Sequence, residues 1–132
     1  MASFLIDRSL GGVTLQQILR TTHHADVKRV AEHFPYDDDE GVPDPSWLEF
    51  AGDQERAVLT KDKGIRTRSL ERLVVCKRRL IVFCIASGNL SGVKMNELYL
   101  AYWSRIIVEA DRDGPVFFHL SSHGMQAMPL NC

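Results

Sequence analysis

The chain of 132 residues has no apolar run near the roughly 18 residues that a membrane-spanning helix needs. Its first residues pass directly into a strand-like pattern. They show no basic region followed by an apolar stretch, so no signal peptide is expected and the cytoplasm is the default location. Only three cysteines are present, Cys76, Cys84 and Cys132, and none stands in a CxxC pair. That count predicts neither a disulfide framework nor a zinc site, and Cys76 and Cys84 read as small hydrophobes inside apolar runs. The five histidines lack metal-ligand spacing. A P-loop, a GxGxxG turn and a Ser-His-Asp order are also missing, which argues against nucleotide-binding folds and nucleophile-type hydrolases.

Net charge is no guide to a partner, because it is only −1. The distribution of charge is more informative. Nine of the 17 acidic residues fall within 32–55, and eight of the 16 basic ones within 61–79. Such segregation in a small domain fits an acidic site beside a basic track, or simply two solvated faces.

Hydrophobic residues make up 45% of the sequence, enough for one domain with an ordinary core. Strands are expected at 3–7, 25–34, 57–61, 80–86 and 116–120. Helices are expected at 14–22 with Thr14 as N-cap, at 46–52 after Asp44 as N-cap, at 68–79, and at 91–110 with Met95, Leu98, Tyr102, Ile106 and Ala110 as its buried stripe. The run LIVFCIA over 80–86 has the character of a strand buried on both faces. Pro35–Pro45, which includes Asp37-Asp38-Asp39-Glu40, is the long loop, and residues 121–132 form a loose tail after a domain over 1–120. Strands alternating with helices predict an α/β fold with a mainly parallel, five-stranded sheet covered on both faces.

Ligands of such sheets bind beyond the carboxyl ends of the strands. Phe4-Leu5-Ile6 runs into Asp7, and Ala57-Val58-Leu59-Thr60-Lys61 runs into Asp62. On adjacent parallel strands, about 4.8 Å apart, two such carboxylates would reach one cation. Their mutual repulsion would favour a hard divalent ion, Mg²⁺ or Mn²⁺. A phosphodiester is the matching substrate, with basic residues near Arg68 for its backbone. Taken singly, each aspartate reads equally as a cap or ion-pair partner. Glu71 is explained by ion pairs one helical turn away.

Phe4-Leu5-Ile6-Asp7-Arg8-Ser9-Leu10-Gly11, His33-Phe34-Pro35, Asp44 with Trp47-Leu48, Val58-Leu59-Thr60-Lys61-Asp62-Lys63-Gly64-Ile65-Arg66 and Ser87-Gly88-Asn89-Leu90-Ser91-Gly92 together resemble the short PIN-like proteins, among them the VapC-type toxins of toxin–antitoxin pairs. The resemblance covers residues 3–120. It implies a three-layer α/β/α PIN-like fold and an endoribonuclease dependent on Mg²⁺ or Mn²⁺. It also implies an antitoxin partner that blocks the site and, often, a homodimer. Asp7, Asp44 and Asp62 match the family's catalytic, metal-holding aspartates, and Glu71 is the first choice for a fourth acidic ligand. Lys61, Arg66 and Arg68 would position RNA. Pro45 departs from the pattern, since an acidic residue is expected there. A second reading is therefore a non-catalytic PIN-like module that binds a protein partner.

Overall fold

The computed structural model describes residues 2–10, 12–34, 44–87 and 89–132, and of Asp44 only the backbone. The acidic run Asp37–Glu40 lies outside the described residues.

Six strands form one sheet. They are β1 (Ser3–Ile6), β2 (Asp26–Arg29), β3 (Arg56–Thr60), β4 (Ile81–Ile85), β5 (Val116–Ser121) and β6 (Gly124–Met128). Their spatial order is β2-β1-β3-β4-β5-β6. Every pairing from β2 to β5 is parallel, and β6 runs antiparallel to β5. The helices are α1 (Val13–His23), the single turn α2 (Val30–His33), α3 (Asp44–Asp53), α4 (Ser69–Lys77), α5 (Gly92–Ala101) and α6 (Trp103–Glu109). None is long and apolar enough to cross a membrane.

Successive strand side chains point to opposite faces, and the core divides accordingly. Phe4, Ile6, Leu59, Phe83 and Ile85 pack with Leu15 and Leu19 of α1, Met95 and Tyr99 of α5, and Trp103 and Ile106 of α6. Leu5, Val58, Val82 and Cys84 pack with Trp47, Leu48 and Ala51 of α3 and with Val74 and Val75 of α4. The result is the three-layer α/β/α architecture. All five residues of β4 are buried, as its unbroken apolar run predicts.

Several local expectations differ from what is observed. The sheet has a sixth strand, and it lies within the stretch read as a loose tail. Of β6 only Met125 is fully buried, so this edge strand carries almost no periodic signal. Leu130 is also buried, and Cys132 is bonded to Cys76 with Cα atoms 5.8 Å apart. No spacing rule joins two cysteines 56 residues apart, and only Cys84 stays free.

The strand expected over 25–34 stops at Arg29. There the Glu32 carboxylate accepts a hydrogen bond from the Arg29 backbone N–H at 3.1 Å, and one helical turn begins. Gly12, not Thr14, caps α1. Its φ of 83° suits glycine, and a Cβ there would sit 2.6 Å from the Ile6 side chain. The single helix expected over 91–110 is interrupted at Tyr102. Its buried stripe is Met95, Tyr99, Trp103 and Ile106, because apolar residues ring this helix and the pattern alone allows more than one face.

Candidate active site

The chain passes from β1 to β2 on one side of β1 and returns to β3 on the other. In open parallel sheets the crevice at such a reversal, beyond the carboxyl ends of the strands, is where ligands bind. Asp7 follows β1 directly, and Asp62 lies two residues beyond β3.

Asp7 remains attached to the sheet, since its backbone N–H donates to the Leu59 carbonyl at 2.9 Å. The residue is only 7% exposed. Its Oδ2 accepts from the Ser9 hydroxyl at 2.8 Å and from the Thr60 hydroxyl at 2.7 Å. Thr60 Oγ1 in turn accepts the Asp62 backbone N–H at 3.0 Å. One fully buried hydroxyl therefore links the two aspartates, spending its proton on Asp7 and a lone pair on Asp62.

Thr60 is also held through its carbonyl. The buried Tyr99 hydroxyl reaches across from α5 to the carbonyls of Thr60 (2.9 Å) and Phe83 (2.8 Å) and shares its one proton between them. Burial pushes the Tyr99 pKa well up, so this donor stays protonated.

Asp62 caps the 3-10 turn Lys63–Arg66 through an Oδ1 contact with the Gly64 N–H at 2.9 Å. Arg68, the N-cap residue of α4, turns its guanidinium back over this turn. Nη2 lies 2.5 Å from Asp62 Oδ2, Nη1 lies 3.3 Å from Oδ1, and Nε lies 2.9 Å from Glu71 Oε1. The Asp62 bonds above all, and then Glu71, hold the guanidinium pKa above its ordinary value.

The expected site residues are thus brought together unevenly. Asp7 and Asp62 are linked through the Thr60 hydroxyl, and Glu71 is linked to Asp62 through Arg68. Asp44 opens α3. Its side chain is outside the described residues. Among the described residues no three His, Cys, Asp or Glu side chains form a compact metal-ligand group. Lys61 is exposed, and its backbone N–H meets Ser9 Oγ at 3.4 Å. Arg66 directs Nη1 to the Pro129 carbonyl at 2.8 Å, and Arg68 is engaged by carboxylates.

Ser9, Thr60 and Tyr99 were not singled out by sequence. The one available signal was the hydroxyl ending the apolar run before Asp62.

In chemical type, though not as a gathered group, the donors suit a hard divalent cation. Asp7, Asp62 and Glu71 offer carboxylate oxygens, and a cation, the Arg68 guanidinium, already lies across two of them. Among the described residues, Cys84 is a soft group near these carboxylates. Burial, then the negative Asp62, pushes its thiol up to about 12, so it remains protonated and does not compete as a thiolate. On the same edge a cleft of about 490 Å³ opens beside β4 and β5, lined by Ser87, Leu90, Leu98, Ser121 and His123.

A mainly parallel sheet between two helical layers, with Asp7 and Asp62 following adjacent strands, sets the class. A family model described as "PIN like domain" matches residues 2–87, and the chain belongs to that family. It is also similar to a protein of Mycobacterium tuberculosis (strain ATCC 25618 / H37Rv) named "Putative ribonuclease VapC45". The two are 26% identical over 113 residues, which cover 86% of this chain and 81% of the relative. No solved structure matches.

Proposed function

We propose that this protein is a divalent-cation-dependent endoribonuclease and the toxin of a toxin–antitoxin pair. The observation that carries this reading is the placement of Asp7 and Asp62 at the switch point, joined by the Thr60 hydroxyl. Membership of the PIN-like family and similarity to a protein named as a ribonuclease support it.

Asp7, Asp44 and Asp62, with Glu71, would hold Mg²⁺ or Mn²⁺. When bound, such a cation supplies charge stabilisation at a phosphoryl oxygen and makes water more acidic. The chain's own residues do the positioning. Thr60 and Ser9 fix the Asp7 carboxylate by donating to Oδ2, which orients it. Lys61, with Arg66 and Arg68 adding to the local positive field, would guide the RNA backbone along the edge. The cleft beside Ser87 gives the strand room to continue. A cognate antitoxin would act by covering this edge, a homodimer is the expected assembly, and an RNA substrate places the activity in the cytoplasm.

The test is cleavage of RNA by purified protein with Mn²⁺, run beside calorimetric titration of the metal. Asp7→Asn and Asp62→Asn should each abolish cleavage while leaving the fold intact. No Mn²⁺ binding and no cleavage by the parent protein would favour instead a non-catalytic module that binds a protein partner.

A further inference from the structure

Three observations converge on Arg68. First, its guanidinium makes a two-point contact with one carboxylate and a third bond to another, at 2.5 and 3.3 Å to Asp62 and 2.9 Å to Glu71. A planar fork with several donors satisfies such an arrangement, whereas a lysine ammonium would act as a point charge. Second, the turn beneath it is shaped to admit it. A Cβ on Gly64 would lie 2.0 Å from Arg68 Nη1 and 3.1 Å from Asp62 Oδ1, so any larger residue would displace the guanidinium. Third, the two carboxylates are partly withdrawn from water, with side-chain exposures of 30% for Asp62 and 12% for Glu71, while Arg68 remains 45% exposed. The guanidinium is thus the most exposed of the three groups.

From this geometry we infer that Arg68 is the built-in counterion of the Asp62–Glu71 pair, and that a divalent cation binds these carboxylates by displacing its guanidinium. The inference rests on the metal-site reading above and adds to it a residue that sets the affinity. Two cations cannot share these oxygens at full strength. Every bond from Arg68 to Asp62 must be given up or weakened when a doubly charged ion approaches, and the retained positive charge opposes its entry. Arg68 thereby keeps the carboxylates paired and oriented when metal is scarce, and raises the concentration at which metal takes over. It stands at the start of α4, outside the part of the helix that Val74 and Val75 anchor in the core.

The experiment is calorimetric titration of Mn²⁺ into the parent protein, Arg68→Gln and Arg68→Lys, with thermal melts to confirm folding. Arg68→Gln keeps a polar side chain without the charge and should bind Mn²⁺ about tenfold more tightly. Arg68→Lys keeps the charge but not the fork and should fall between the two. In the parent protein labelled with ¹⁵N, the Arg68 Nε–H signal should shift as Mg²⁺ is added, because its bond to Glu71 is lost. Unchanged or weaker Mn²⁺ binding by Arg68→Gln, with the parent binding normally, would overturn this inference alone. Failure of all three proteins to bind Mn²⁺ would overturn the metal-site reading and this inference with it. Binding by Arg68→Gln but not by the parent would support displacement in its strongest form.

Discussion

The two ends of the sheet handle charge differently. At the amino edge a cleft of about 360 Å³ is bordered by Arg56, Lys77, Arg78, Arg79 and Arg112. Its ion pairs hold elements together. Arg56 on β3 reaches Asp26 on β2 at 2.9 Å and the Phe4 carbonyl at 3.2 Å. Arg78, which caps α4, meets Glu49 and Asp53 of α3 at 3.0 and 2.6 Å. These bonds join neighbours whose relative position the core already fixes. At the carboxyl edge, hydroxyls and backbone N–H groups hold Asp7 and Asp62, and one guanidinium spans two carboxylates. The first arrangement closes charge off. The second holds two carboxylates oriented beyond the strand ends, where the proposed divalent cation would bind. Similar residue types thus serve cohesion at one end and, in the proposed function, chemistry at the other.

Substitutions at the two edges should separate these roles. After loss of Asp7 or Asp62 themselves, the largest effect is expected from Thr60→Val. It removes one donor from Asp7 and strands the Asp62 N–H, and RNA cleavage should fall about 10- to 100-fold, measured with Mn²⁺ in excess. A stability loss of about 1–3 kcal/mol in urea titration should accompany it. At the amino edge, Arg56→Met should cost about 1–2 kcal/mol, because Asp26 faces water and is released rather than stranded, and should leave cleavage unchanged. Loss of cleavage in a folded Arg56→Met protein would break the division between the edges.

A smaller effect comes from pH. Burial, then the positive Arg66 and Lys63, holds the His119 pKa below its ordinary 6.5. The unfolded chain therefore binds the proton more readily than the folded one. Stability is fully present above about pH 6.5 and is lost as pH falls toward the depressed value. The Tm should drop between pH 7 and pH 5, and His119→Gln should flatten part of that drop. His33 adds to the slope in the same direction, its pKa lowered first by burial. The smallest effect is expected from Arg78→Ala, whose ion pairs lie at the surface, with a Tm close to that of the parent and unaltered cleavage.

The central part of the fold was legible in the sequence because its signals were redundant. The strands leading to Asp7 and Asp62 are apolar runs ending in a carboxylate, and β4 is apolar throughout, so each announces both its burial and its end. Edges were harder to read. Gly124–Met128 buries one residue fully and is specified by its pairing to β5, not by its own pattern. The Cys76–Cys132 bond depends on where the chain returns, which spacing does not encode. In the candidate site, the carboxylates were visible because charge at the end of an apolar run is unusual. Thr60 and Tyr99 were not, because a hydroxyl bound to backbone or to carboxylate leaves no periodic trace. Arg68 was read as one of several basic residues facing RNA; its bond to Glu71 is the ion pair one helical turn away that the sequence suggested, whereas its engagement with Asp62 follows from the turn at Gly64, a three-dimensional fact.

The Cys76–Cys132 bond has a topological consequence. It closes the chain from the end of α4 to the C-terminus into a covalent ring that contains β4, α5, α6, β5 and β6, while Asp7, Asp62, Arg68 and Glu71 all lie on the open arm. A single protease cut inside the ring, for example in the Ser87–Ser91 connection, would leave two fragments that separate only on reduction. The arm that carries the acidic residues would stay tethered, through Cys76, to the half of the sheet that supports it.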